Sequence, residues 1–376
     1  MNILLIPDSF KDSLSAEKVA TAMAVGIRQL DATANITTIS ASDGGEGFLA
    51  AVRNFVPKAK EIKVETVDPL GRPHVAVYLF DAGTGVAYIE LAKASGLELL
   101  DTSERNPLKT STYGTGLQIK HAIATGAIEI YVGLGGSATN DAGAGMAAAL
   151  RYEFLDSEGN ALTINGASLE GIETIHKPIS VPEIPAISAV NDVRNLLYGP
   201  QGAAFTYARQ KGADEKQIEQ LERGLQHFAA ICAAEFGEDF SLMPGTGAAG
   251  GSAFGLKVFM NAAFISGVSF MLDLAGFEQL LKEHQIDLIL TGEGKIDAQT
   301  AYGKMVSGVA NEAMRYKIPV AAVCGKLELD KAGIEELNLR EVAQLYSPDK
   351  PASYSYDNAE RLISEKTKEV VRAILL

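Results

Sequence analysis

Cysteine is scarce: Cys232 and Cys324 are the only two in 376 residues. Both sit in apolar surroundings, with no CxxC pair and no histidine at ligand spacing. That excludes a disulfide scaffold and a thiolate metal site, and both side chains are expected in the core of a protein kept in a reducing compartment. Histidine is also sparse. His74, His121, His176, His227 and His284 are scattered along the chain, which disfavours a transition-metal centre and makes each a surface or internally satisfied residue. No apolar run reaches the roughly eighteen residues of a membrane span, and the start, MNILLIPDSF, carries no basic leader, so a cytoplasmic, unanchored protein is expected. There is no block of Lys and Arg. With 33 Lys+Arg against 47 Asp+Glu, the formal charge is -14. Nucleic acid and anionic membrane are therefore repelled at long range, and an anionic ligand must be held by local groups. No internal repeat or low-complexity segment occurs.

What remains is an ordinary globular composition, 47% hydrophobic and 21% charged. At roughly 150 residues per domain it predicts about two domains, each large enough to bury a core. Asn2 to Ile6 is a short apolar run ending at Pro7-Asp8-Ser9, as a buried strand would. Ser15 then suits a helix N-cap, with Glu17 in the first turn and Val19, Met23, Ile27 and Leu30 on one face. Ile36 to Ile39 supplies a second strand and completes a βαβ unit. Near residue 62 the pattern changes. Val64 to Val67, the turn Asp68-Pro69-Leu70-Gly71 and Val75 to Phe80 predict an antiparallel pair. Val86 to Leu91, Ile128 to Leu134 and Ala186 to Val190 read as further strands, Gly116 to Thr125 as a helix, and Tyr152 to Leu155 with Ala161 to Ile164 as a hairpin. After residue 270 the alternation returns, with strands at Leu288 to Leu290, Val320 to Val323 and Val342 to Leu345 and a helix over Met305 to Met314. Asp357 and Glu360 look like a capping box opening the last helix.

The pattern predicts an α/β protein: a doubly wound, Rossmann- or flavodoxin-like parallel-sheet domain formed by both termini, interrupted by an inserted α+β domain. The expected boundaries are 1–64 with 271–376 for the first domain and 65–270 for the insert.

Three glycine-rich stretches are candidates for chemistry. Gly133 to Met146 lies between an apolar strand and an alanine-rich segment. Its backbone N–H groups, with the hydroxyls of Ser137 and Thr139, suit phosphate oxygens at a helix N-terminus, while small residues here equally suit a tight packing turn. Gly245 to Ser252 carries the same two readings. Thr291-Gly292-Glu293-Gly294-Lys295-Ile296-Asp297 follows a strand of the parallel sheet, beyond whose carboxyl end ligands collect. Neither GxxxxGK[ST] nor a well-placed GxGxxG is present, so the P-loop and dinucleotide fingerprints are not met.

Asp8, Asp43, Glu46, Asp141, Asp192, Glu293 and Asp297 lie in or beside these loops. One Asp after a strand is commonly a helix cap, but several facing one cleft call for a cation or a proton-transfer role. Mg²⁺ suits such a set, because it takes one or two carboxylates with phosphate oxygens and water. Lys11 and Lys304 are the local cations suited to phosphate or a substrate carboxylate, or else solvated surface lysines.

Asp8-Ser9-Phe10-Lys11, Ser42-Asp43-Gly44-Gly45-Glu46-Gly47, the Gly133 to Met146 loop, Gly245 to Gly251, and Thr291-Gly292-Glu293-Gly294 with Asp297, Gln299-Thr300 and Gly303-Lys304 together resemble the bacterial glycerate kinase family, type 1. The likeness runs in order along essentially the whole chain. It implies Mg²⁺-dependent transfer of the ATP γ-phosphoryl group to a hydroxyl of D-glycerate, favouring 2-phosphoglycerate, on a two-domain α/β fold with the site between domains. The chain departs from the family pattern at Asp12, where glycine is usual, and at Asn191 and Leu196, where cysteine and proline are usual. These changes bear on loop geometry and substrate details.

Phosphoryl transfer depends on positioning and charge neutralisation more than on covalent chemistry. On that basis Gly135, Gly136, Ser137, Thr139 and Asn140, with Gly247 and Gly250, are expected to hold nucleotide phosphates. Ser9, Asn195 and Lys304 are expected at the substrate. Asp192, Lys11, Asp8 and Asp43 form the expected catalytic set, with Asp192 as base or orienting group, and Asp43, Glu293 and Asp297 are the expected Mg²⁺ ligands. A kinase of a related small hydroxy acid, a nicotinamide-dependent hydroxy-acid oxidoreductase and a non-catalytic binding protein are the alternatives. Oligomeric state is not legible.

Overall fold

A computed structural model of the chain describes residues 1–10, 13–39, 47–179, 184–283, 285–297, 300 and 305–375. In chain order its strands are β1 (Asn2–Pro7), β2 (Asn35–Thr38), β3 (Lys60–Val67), β4 (Pro73–Asp81), β5 (Val86–Glu90), β6 (Glu129–Gly133), β7 (Glu153–Leu155), β8 (Thr174–His176), β9 (Ala186–Val190), β10 (Ala263–Ile265), β11 (Leu288–Ile296), β12 (Val320–Leu327) and β13 (Glu341–Gln344). The chain folds into two compact units, Met1–Asp43 with Ser266–Leu376, and Gly44–Ile265.

The unit built from the termini holds one parallel sheet in the order β13-β12-β11-β1-β2. Its three central strands, β1, β11 and β12, are largely apolar and buried because both faces are covered, while the edge strands β2 and β13 are more polar and part-exposed. Ile3, Leu5, Leu288, Leu290, Ala321 and Val323 meet Val19, Met23 and Ile27 of the Ala16–Arg28 helix and Ile363 and Val371 of the Ala359–Leu375 helix. Ser15 caps the first of these helices, its hydroxyl accepting from the Lys18 N–H at 3.4 Å. The expected capping box at the last helix is not formed. Asp357 instead closes a short preceding helix, Ala352–Asp357, and the final helix opens after Asn358, whose carbonyl takes the Leu362 N–H at 3.0 Å. Cys324 is buried in β12, and burial pushes its thiol up to about 12.

The second unit holds a six-stranded sheet, β10-β9-β6-β5-β4-β3. The antiparallel pairing expected around residues 64 to 80 is present as β3–β4 and continues into β5, beyond which β6, β9 and β10 run parallel. At the β3–β4 turn the Asp68 carboxylate accepts the Leu70 and Arg72 N–H groups at 2.9 and 3.0 Å, a local closure typical of Asp before a turn. The expected hairpin near residue 155 pairs differently: β7 runs antiparallel to β8, and Ala161 makes a single bridge to Leu155. The long helix Glu215–Phe236 opens on a capping box of Asp214 and Gln217 and buries Phe228 and Cys232 against Phe154 and Phe259. Burial raises the Cys232 thiol. Four of the five histidines are described. The rings of His74, His121 and His227 bond to Lys93, Tyr78 and Ile172, and His176 lies near Glu153 at the surface.

The division between units falls at 43/44 and 265/266 rather than at the expected 64/65 and 270/271. The Phe48–Phe55 helix belongs with the insert because the Glu90 carboxylate, at the end of β5, accepts the N–H groups of Gly47 (3.4 Å) and Leu49 (3.0 Å). At the other boundary the Gly267–Leu274 helix packs on Met305–Met314. No described helix is long and apolar enough to cross a membrane.

Candidate active site

In the unit of the termini, β2 lies on one side of β1 and β11 on the other. The order of strands reverses at β1/β11, and open α/β sheets bind ligands beyond the carboxyl ends at such a point. Two expected site residues fall there. Asp8 follows β1, with its N–H donating to the Gly292 carbonyl at 2.8 Å, and Glu293 is the next residue of β11. The Asp8 carboxylate accepts the N–H of Ser9 at 2.6 Å and its hydroxyl at 3.3 Å. Glu293 is buried, and its Oε1 accepts the Thr300 hydroxyl at 2.7 Å. The same hydroxyl accepts the Asp297 N–H at 3.1 Å, so Thr300 links the two carboxylate-bearing positions. On its outer side Asp297 pairs with Lys295 at 3.1 Å, and Lys295 also meets Glu328 at 2.7 Å. Asp8 and Ser9 therefore follow the carboxyl end of β1 level with Glu293 within β11, and Asp297 follows the end of β11, while Lys11, Asp43 and Lys304 lie outside the described residues.

The two glycine stretches of the second unit form one structure. After β6 the chain turns through Gly135 and Gly136, which are partly exposed, and then buries Ser137, Thr139, Asn140 and Asp141. The Gly136 carbonyl accepts the Leu97 N–H at 2.9 Å, and the Ala138 N–H reaches the Ser95 carbonyl at 2.9 Å. The Ala142 N–H donates to the Gly250 carbonyl at 3.1 Å. Gly250 (φ +66°) stands against the Thr139 carbonyl where any Cβ would collide, and the Gly247 N–H is held by the Asn195 carbonyl at 2.9 Å. Ala249, Gly250 and Gly251 are all left-handed, so the regular helix begins only at Ser252. Backbone-to-backbone packing is thus one function of these glycines.

The expected helix N-terminus is not open to an anion. The alanine-rich helix has six residues, Ala144–Ala149, and Asp141 already occupies its start. The Asp141 carboxylate accepts from Thr112 N–H (2.7 Å), Thr112 hydroxyl (2.8 Å), Gly143 N–H (3.1 Å) and Gly145 N–H (3.3 Å). Burial raises its pKa while these donors oppose the rise. A carboxylate with this many donors serves as a cap. The Thr139 hydroxyl and both amide atoms of Asn140, by contrast, are buried without a partner among the described residues.

Asp192 and Asn195 lie on the loop after β9. Asp192 is half-buried. Asn195 is engaged at both ends of its side chain: Nδ2 donates to the Gln201 carbonyl at 2.6 Å, and Oδ1 accepts the Tyr207 hydroxyl at 2.7 Å. Its carbonyl also takes the Gly245 N–H at 3.2 Å, so the residue braces the second glycine stretch.

Two polar groups at these loops escape sequence reading. Glu90 ends an apolar strand, and an acid at the last position of a buried strand is the one available hint. Lys211, in Ala208-Arg209-Gln210-Lys211, has no such hint, yet it is 2% exposed, with Nζ at 2.7 Å from both the Ser137 hydroxyl and the Thr139 carbonyl. Burial pushes its pKa down to about 7, with the Asp141 charge opposing.

Comparison with known proteins bears on all of these loops. The sequence profile of the glycerate kinase family matches residues 3–375. A glycerate kinase of Halalkalibacterium halodurans is 41% identical over 328 residues, covering 86% of this chain and 85% of the relative. The glycerate 2-kinase of Escherichia coli is 36% identical over 364 residues, covering 95% of each. The crystal structure of a protein assigned as glycerate kinase 2 from Salmonella typhimurium LT2 superposes with a TM-score of 0.79 at 36% identity, covering 99% of this chain and 98% of that one. With the loops after β1, β6, β9 and β11 all inside the matched span, the chain belongs to the glycerate kinase family, a family of kinases.

Proposed function

We propose that this protein transfers the γ-phosphoryl group of ATP to a hydroxyl of D-glycerate, forming 2-phosphoglycerate. The observation that carries the reading is the unbroken family match over residues 3–375, and the name of the Escherichia coli relative, glycerate 2-kinase, favours the 2-hydroxyl. In this reading the Gly135–Asn140 loop, braced by Gly247 and Gly250, faces nucleotide phosphates. The Thr139 hydroxyl and Asn140 amide supply hydrogen-bonding capacity that no described residue uses. Asp192 accepts the proton of the substrate hydroxyl or orients it, and Asn195 acts through the loop it braces. Ser9, Lys11 and Lys304 hold the substrate carboxylate and the transferring group, with Asp8 orienting Ser9.

Among the described residues no three His, Cys, Asp or Glu side chains gather as a metal cage. Glu293 and Asp297, with Asp43, fit Mg²⁺ nonetheless, because this ion needs only one or two carboxylates beside phosphate oxygens and water. When bound, Mg²⁺ supplies charge neutralisation on those oxygens. The test is ADP release from ATP and Mg²⁺ with and without D-glycerate, with the product identified by ³¹P NMR. ADP that depends on glycerate, together with a phosphorus resonance coupled to the C2 proton, is the expected result. A folded protein releasing no such ADP would sink the reading and redirect the search to other hydroxy acids.

A further inference from the structure

Lys211 closes the single turn Arg209–Lys211 and is buried behind the Gly135–Asn140 loop. Its Nζ donates to the Ser137 hydroxyl and the Thr139 carbonyl, both at 2.7 Å. A lysine ammonium has three donors, and among the described residues the third meets no acceptor. The same stretch of loop carries three more buried polar atoms without partners among the described residues, Thr139 Oγ1 and the Nδ2 and Oδ1 of Asn140. Native folds rarely leave such groups together unsatisfied unless a ligand or catalytic role explains them. Nor does Lys211 have a carboxylate of its own among the described residues. Asp141 is the acid whose charge reaches it, and that carboxylate is already taken by Thr112, Gly143 and Gly145. Arg209 pairs away toward Glu215.

We propose that Lys211 is a positioning residue for oxyanion binding on the Gly135–Asn140 loop, fixing Ser137 and Thr139 from behind and supplying the positive charge that a bound phosphoryl group requires. The inference rests on the kinase reading and deepens it by naming the cation of the nucleotide site in a chain of charge -14. It also explains how a buried lysine without a dedicated partner is tolerated. With its pKa pushed down to about 7, the amine is largely neutral at pH 8 while the loop is empty. An arriving anion favours the charged form, so binding takes up a proton.

Calorimetric titration with MgATP at pH 8.0, in two buffers of different ionisation heat, measures that proton directly. Wild type is expected to take up on the order of half to one proton per nucleotide and K211M none. In steady-state assays K211M should raise the KM for ATP about tenfold or more while leaving the KM for D-glycerate within about twofold. A wild type that takes up no proton, or a K211M protein that binds MgATP as tightly as wild type, overturns the inference. Should K211M not fold by circular dichroism, the wild-type proton count decides alone. If wild type itself neither binds MgATP nor turns over glycerate, the kinase reading fails separately. Titration with inorganic sulfate then decides the lysine's role, proton uptake in wild type supporting it and no uptake overturning it.

Discussion

Gly250 and Thr139, more than a hundred residues apart in sequence, pack backbone against backbone so closely that no side chain fits at residue 250. The left-handed φ of +66° adds a second reason for glycine there. Gly250→Ala is expected to cost about 2–4 kcal/mol, from left-handed strain and overpacking together. Gly237→Ala is the control. Gly237 is also left-handed but has open space where its Cβ would be, so it should lose only about 1 kcal/mol. Urea denaturation of both variants gives the comparison, and equal losses would show that the interlocking of the two loops is not what demands glycine.

Thr300 is the joint between Glu293 and Asp297, its hydroxyl donating to one side chain and accepting from the backbone of the other. Thr300→Val keeps the shape and removes both bonds, leaving the buried Glu293 carboxylate short of a donor. A stability loss of about 1–3 kcal/mol is expected, with a fall in kcat of about tenfold and recovery in Thr300→Ser. Retained kcat in the valine variant would detach this joint from the reaction.

The pH dependence of stability follows from Lys211. Its folded pKa is about 7 against an ordinary 10.5, so between those values the unfolded chain binds more protons than the folded one. The contribution of this group to stability therefore grows as pH rises from about 7 to 10.5, with a slope of at most about 1.4 kcal/mol per pH unit. Denaturation of wild type and Lys211→Met across that range should show the slope reduced in the variant. Parallel curves would mean that the lysine stays charged throughout.

Asp192→Ala tests the proposed base. Loss of a general base typically costs about 10²–10⁴-fold in rate, and kcat is expected to fall in that range while the affinity for MgATP changes little. A variant that keeps most of its kcat removes Asp192 from the chemistry and leaves it a loop residue.

Much of the architecture was legible in the sequence because it is written in local periodicity. The strand at Asn2–Pro7, the Ser15 cap and the helix over Met305–Met314 each follow from which side chains recur on one face. The same local rules misassigned the start of the last helix. Asp357 and Asn358 are both competent caps, and the helix Ala352–Asp357, which takes Asp357 as its end, decides between them. The order of the polar loops likewise sufficed to indicate the family.

By itself, then, the sequence determined most of the elements, the parallel sheet built from the two ends and the family to which the chain belongs. The tertiary structure alone decided that Asp141 caps a short helix, that Glu90 holds the start of another, that the two glycine stretches interlock and that Lys211 lies buried beneath one of them. The physical reason is range. Burial of an amphipathic face is encoded every few residues, whereas the partner of a loop is set by strand order across a sheet. Lys211 and Ser137 are 74 residues apart along the chain and 2.7 Å apart in space.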